Sequence, residues 1–165
     1  MTYHSNKDTH KECCQKECYC IENKENEGTT IVGKVTVNVI PPLTVTANRP
    51  TRLPLTTVLF KTPGIKIPQD GGITVQEDGE YFISFDGTFR PADTIPLDRF
   101  FIFSVFTPNF SGTALIGADP TLGIGTATLA ELVCLRAGDT VYVTVTSSLN
   151  LSSATGILVV AKVED

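Results

Sequence analysis

Four of the chain's five cysteines stand in one short run, Cys13-Cys14-x3-Cys18-x-Cys20, with His4 and His10 just ahead of it. Thiolates and imidazoles are the side chains that hold zinc, and thiols are also what makes covalent bridges. As a zinc site the spacing is poor. Adjacent cysteines and a Cys-x-Cys step fit a tetrahedral four-cysteine knuckle badly, and no second Cys-x2-Cys pair follows, so a metal set would have to recruit both histidines. As disulfide material the run is better: thiols on a mobile tail reach partners that a rigid domain does not, and bridges between subunits lock an assembly against heat and drying. Plain reduced tail cysteines are the third reading. Cys134 stands apart, beside Leu135 in an expected strand. A solitary buried cysteine is ordinarily core; facing outward, opposite to Val133 and Leu135, it becomes an acceptor for a tail thiol.

Little else in the chain offers chemistry. Asp86, Asp93 and Asp98 are close in sequence and have the oxygen ligands calcium takes, although such residues more often cap loops. No histidine follows His10, and neither a Gly-x-Ser-x-Gly elbow nor a phosphate loop is present. The expectation is therefore a protein that is not an enzyme and needs no cofactor or metal. A net charge of −5 without a basic patch argues against nucleic acid as a partner. No apolar run reaches membrane-spanning length and none near the N-terminus resembles a signal peptide, so a soluble chain that engages no membrane is expected.

The elements that must carry these residues change character along the chain. Residues 1–28 hold ten charged residues, both histidines and four cysteines with almost no aliphatic side chains, which is too little apolar surface to fold alone. They read as a flexible connector. Residues 29–48 read as an extended β-arm: Val35, Val37 and Val39 alternate with Lys34, Thr36 and Asn38, and Pro41-Pro42 closes the run. This strand is either the first of the main domain or free to be donated to a neighbour. Residues 49–165 read as one domain of short strands. Its organising stretch is Gly71 to Asp86, a strand on Ile73 and Val75, a turn at Glu77-Asp78-Gly79 and a strand on Tyr81, Ile83 and Phe85, which together predict a tight hairpin. Further strands are expected at 57–61, 65–67, 99–106, 114–117, 125–135, 140–147 and 155–163, with helix close to absent. That pattern is an all-β antiparallel sandwich.

One expected strand, Arg99 to Phe106, is apolar on both faces, with Phe101, Phe103 and Val105 on one and Phe100, Ile102 and Phe106 on the other. A sandwich buries only one face of each strand, and an aromatic cluster this dense seldom stays in water. Phe100, Ile102 and Phe106, together with Phe82, are accordingly expected at a contact between subunits.

Two motifs in order carry a resemblance. Ile73-Thr-Val-Gln-Glu-Asp-Gly-Glu-Tyr-Phe-Ile-Ser-Phe85 contains a Gly-x-Tyr step (Gly79, Tyr81), and Leu132-Val-Cys-Leu-Arg-Ala-Gly-Asp-Thr-Val-Tyr-Val143 contains Leu-x-x-Gly-Asp-x-Val (Leu135, Gly138, Asp139, Val141). Over residues 51–163 the chain resembles the jelly-roll head of the tumour-necrosis-factor/complement-q family. Its head is similar to those of bacillus exosporium proteins of the BclA type, without their collagen-like repeat, and its N-terminal region resembles the cysteine-bearing connector of endospore appendage subunits. The resemblance implies a homotrimer built through aromatic-rich strands, and a self-assembling subunit of an extracellular fibre on the spore surface, reached from the mother-cell cytoplasm without a signal peptide. It further implies strand donation by Val35, Val37 and Val39, cross-links through Cys13, Cys14, Cys18 and Cys20, and an anchor protein and a tip protein as partners. The alternative it leaves open is a trimeric head that binds a receptor or a glycan.

Overall fold

The computed structural model describes residues 30–37, 43–92, 100–113, 115–119 and 124–163. Among them two antiparallel sheets face each other and no helix occurs. The first sheet runs in the order β3 (Thr57–Lys61), β1 (Val32–Thr36), β12 (Leu151–Lys162), β6 (Gly79–Pro91), β10 (Ile124–Leu135) and β9 (Leu115–Asp119). The second runs β4 (Ile65–Lys66), β5 (Ile73–Val75), β11 (Thr140–Ser147), β7 (Phe101–Thr107) and β8 (Phe110–Thr113), with β2 (Thr51–Arg52) also paired to β11. This is an all-β antiparallel sandwich, as the strand pattern predicts, in the jelly-roll form that the resemblance implies.

Period-two alternation decides which side chains meet between the sheets. Tyr81, Ile83, Phe85 and Phe89 of β6 point inward, as do Phe101, Phe103 and Val105 of β7, and all are buried. Phe89 stacks on Phe101 at 4.5 Å between ring centroids and Phe85 lies 5.5 Å from Phe103, so aromatic pairs form the centre of the core. Gly125 on β10 is what admits Phe89: a Cβ there would overlap the edge of the phenylalanine ring.

The Gly71–Asp86 stretch is not a hairpin. β5 belongs to the second sheet and β6 to the first, so residues 76–78 carry the chain across the sandwich. Gly79 is absent from the positive-φ residues, whereas Gly138 has φ 97°. The Asp78 carboxylate instead accepts the Ala137 N–H at 2.7 Å, and the Tyr81 hydroxyl donates to the Glu77 carbonyl at 2.9 Å. The first bond ties the crossover to the β10–β11 turn, and the second closes the crossover onto the start of β6. In that turn Asp139 accepts the Arg136 N–H at 2.9 Å, so it supports its own turn as its sequence context suggested.

The N-terminal arm needs a second correction. β1 lies inside the first sheet, paired with β12 on one side and β3 on the other. Val35 is 0% exposed and Val37 2%, both within the chain's own core, and Val45 bridges to Leu151. Of the two readings of this strand, the structure has the first: it is a strand of its own domain. The apolar face of Val35 and Val37 is already filled, which removes the hydrophobic gain that donation to a neighbour would need. Val39 lies outside the described residues.

Candidate functional site

The four residues expected at a subunit contact do not form one surface. Phe82 sits on β6 between inward Tyr81 and Ile83, so it points out of the first sheet. Ile102 and Phe106 alternate with inward Phe101, Phe103 and Val105, so they point out of the second. Because Phe85 and Phe103 meet between the sheets, these outward side chains lie on opposite sides of the sandwich. Sheet membership separates them, and no local sequence feature reports it. Phe106 also has a partner within the chain: its ring stacks on Tyr142 at 5.4 Å, and the Arg52 guanidinium lies 4.3 Å from the other ring's centroid. Asp70 holds that arginine at 2.6 Å. Around Ile102 the outward neighbours are Ser104, Thr144 and Thr146, a hydroxyl-rich surface.

The outer face of the first sheet is more apolar. Across the strands in register, Leu132 pairs with Phe82 and Phe82 with Ala161, and Ala161 pairs with Val32. The next outward row is Ala130, Ser84, Val159, Lys34 and Phe60, and the next includes Thr128, Asp86 and Ile157. Leu132 is 57% exposed, Phe60 54%, Phe82 40% and Ile157 36%. Large apolar side chains thus recur across β10, β6, β12 and β3 on one surface, whereas a soluble monomer usually scatters them singly. Sequence reasoning found Phe82 but missed Leu132, Ile157 and Phe60. Leu132 and Ile157 are outward members of their strands and Phe60 belongs to the exposed run of β3, and only the register shows that they share a face with Phe82.

Cys134 alternates with buried Leu135 on β10 and pairs in register with Glu80, so it is turned outward at the rim of this face, half-buried. That is the second of the two placements its sequence context allowed. Cys13, Cys14, Cys18, Cys20, His4 and His10 lie outside the described residues, as do Asp93 and Asp98 of the calcium reading. Asp86 is exposed on the outer face of β6, at one side of a shallow depression of about 440 Å³ lined also by Ser84, Thr128 and Glu131. Among the described residues no group of three or more His, Cys, Asp or Glu is placed to share a metal. Among the described residues one ionisable group departs strongly from its ordinary range: burial, with the Glu77 and Asp78 carboxylates adding to it, pushes the Tyr81 hydroxyl up to about 12. It is a buried structural hydroxyl, held at the crossover.

No protein-family model and no curated protein matches the sequence. Solved structures do share the fold. The PRD1 vertex protein P5 is similar with a TM-score of 0.63 at 15% identity, over 83% of this chain and 99% of that one. The globular domain of zebrafish complement 1qA protein is similar with a TM-score of 0.61 at 10% identity, over 82% of this chain and 98% of that one. Eiger TNF from S. frugiperda gives 0.54 at 13% identity, over 82% and 94%. The fold is therefore the tumour-necrosis-factor/complement-q-like jelly roll, at identities that speak to fold alone.

Proposed function

We propose that this chain is a structural, non-enzymatic subunit that assembles as a homotrimer through the outer face of its first sheet, with its cysteine-rich tail linking subunits into an extracellular fibre. The observation that carries this reading is the group of exposed apolar side chains Leu132, Phe82 and Ile157, set in the first and third of the outward rows of that face. Such a surface is costly in water and gains by being covered. The sequence resemblance to trimeric heads supports a copy of the same chain as the cover, and the resemblance to endospore appendage subunits supports a fibre on the spore surface. The cross-linking part of the reading draws on the count of thiols. Cys134, at the rim of the same face, is disulfide-bonded, and the other four cysteines are Cys13, Cys14, Cys18 and Cys20. An odd total of five leaves at least one thiol with no partner inside its own chain, which favours bridges between chains.

The test is electron microscopy and non-reducing gel electrophoresis of the full chain beside a variant with Cys13, Cys14, Cys18 and Cys20 all changed to Ser. Oxidised wild type should give fibres and a ladder of covalent species that collapses with reductant. The variant should give heads of unchanged mass without the ladder. Monomer bands only in the oxidised wild type, or stoichiometric zinc in the purified protein, would overturn the cross-linking role.

A further inference from the structure

Among the described residues β3 ends the first sheet and pairs on one side only, with β1. Its middle residues are open to water: Val58 is 43% exposed, Leu59 50% and Phe60 54%. An edge strand presents a row of unpaired backbone N–H and C=O groups, and chains ordinarily blunt such an edge with charge, proline or a covering loop. Between Thr57 and Phe60 there is no charge and no proline. Lys34 opposes Phe60 and Val35 opposes Val58, so Leu59 is the extra residue of a bulge. The three apolar side chains at and beside that bulge are all exposed.

We infer that β3 pairs antiparallel with β3 of a second copy of this chain. The strand is complementary to itself. With a two-fold axis at Leu59, Val58 of each copy opposes Phe60 of the other, Leu59 opposes Leu59, and Thr57 opposes Lys61. An aromatic side chain opposite a β-branched one is a favourable cross-strand pair, and the two lysines fall at opposite ends, so no like charges meet. The chain's own residues 1–28 are a poor occupant because they offer almost no aliphatic side chains to the exposed ones. The edge is also continuous with the assembly face, since Phe60 stands in the same outward row as Val159 and Ser84. A contact of this kind is isologous and closes at two copies. Joined to trimers, it links one trimer to another. That linkage rests on the trimer reading above, whereas the pairing of two β3 strands does not.

The test measures particle mass of the full-length chain in reductant, by mass photometry, for wild type, V58K/F60K and V58E/F60K. The altered positions are exposed, and thermal unfolding checks that each variant is folded. V58K/F60K sets like charges opposite each other at both cross-strand pairs and should reduce the assembly to single trimers. V58E/F60K sets opposite charges at the same pairs and should keep the wild-type mass. In the background F82S/L132S, which interrupts the apolar face, an intact β3 should give dimers and V58K/F60K monomers, so failure of the trimer reading is told apart from failure of this one. Wild-type mass for V58K/F60K, equal dissociation of both charged variants, or monomers from F82S/L132S with β3 intact would overturn the inference.

Discussion

Tyr81 gives the chain a defined alkaline weakness. Its side chain is buried, its hydroxyl donates to the Glu77 carbonyl at 2.9 Å, and its pKa is pushed from 10.0 to about 12. In the unfolded chain the same group ionises near its ordinary value. Between pH 10 and 12 the folded protein therefore holds a proton that the unfolded protein has released, and stability falls as pH rises through that window. Below pH 10 the contribution is fully present. Two pH units correspond to about 2.7 kcal/mol, an upper bound because Glu77 and Asp78 are exposed and water screens them. Tyr81→Phe should lose about 1 kcal/mol at neutral pH for the missing hydrogen bond. Without the ionising group it should also lack this alkaline decline, and so become the more stable of the two near pH 12. Urea midpoints of both proteins from pH 8 to pH 12 measure the difference, in which the titration of all other groups cancels. Parallel declines for wild type and Tyr81→Phe would refute the account of the crossover.

Two further substitutions test the core. Val35→Ala should lower the unfolding free energy of the head by about 2–3 kcal/mol, because Val35 is fully buried in its own sandwich; unchanged stability in denaturant titration would mean that β1 is not part of its own domain. Gly125→Ala drives a methyl group into the Phe89 ring and should cost about 1–3 kcal/mol, with Phe89→Leu in the same chain recovering part of the loss. Simple additivity of the two changes would show that they do not touch.

Much of the sandwich was legible from alternation alone. β6 and β11 each carry a strict inward row, β10 carries one interrupted at Glu131, and the turn at Gly138-Asp139 was marked by its residue types. What was not legible was which strand joins which sheet. The Asp78-Gly79 pair has the composition of a hairpin turn, yet its strands go to opposite sheets, with Asp78 bonded to Ala137 of the β10–β11 turn and Tyr81 to Glu77 within the crossover. β1 finds its place by pairing with β12 more than 120 residues away, a contact no local pattern encodes. β8 was missed because Phe110-Ser-Gly-Thr113 is short and contains glycine, and β12 begins at Leu151, earlier than expected, because Ser152 and Ser153 interrupt its apolar alternation. For the candidate site, an outward apolar residue was recognisable one at a time. Gathering Phe82 with Leu132 and Ile157, and separating it from Ile102, required the registers of three strands.

The central claim is that the first sheet's outer face, and not the second's, holds the subunits together. Covering the exposed parts of Phe82 and Leu132 removes on the order of 150–200 Å² per subunit, worth about 4 kcal/mol before ordering costs. The direct measurement is light-scattering mass of two full-length variants in reductant: F82S/L132S on the first sheet and F100S/I102S on the second. The account predicts that F82S/L132S loses the three-fold species, while F100S/I102S keeps the wild-type mass. A trimer that survives F82S/L132S and dissociates with F100S/I102S would contradict it.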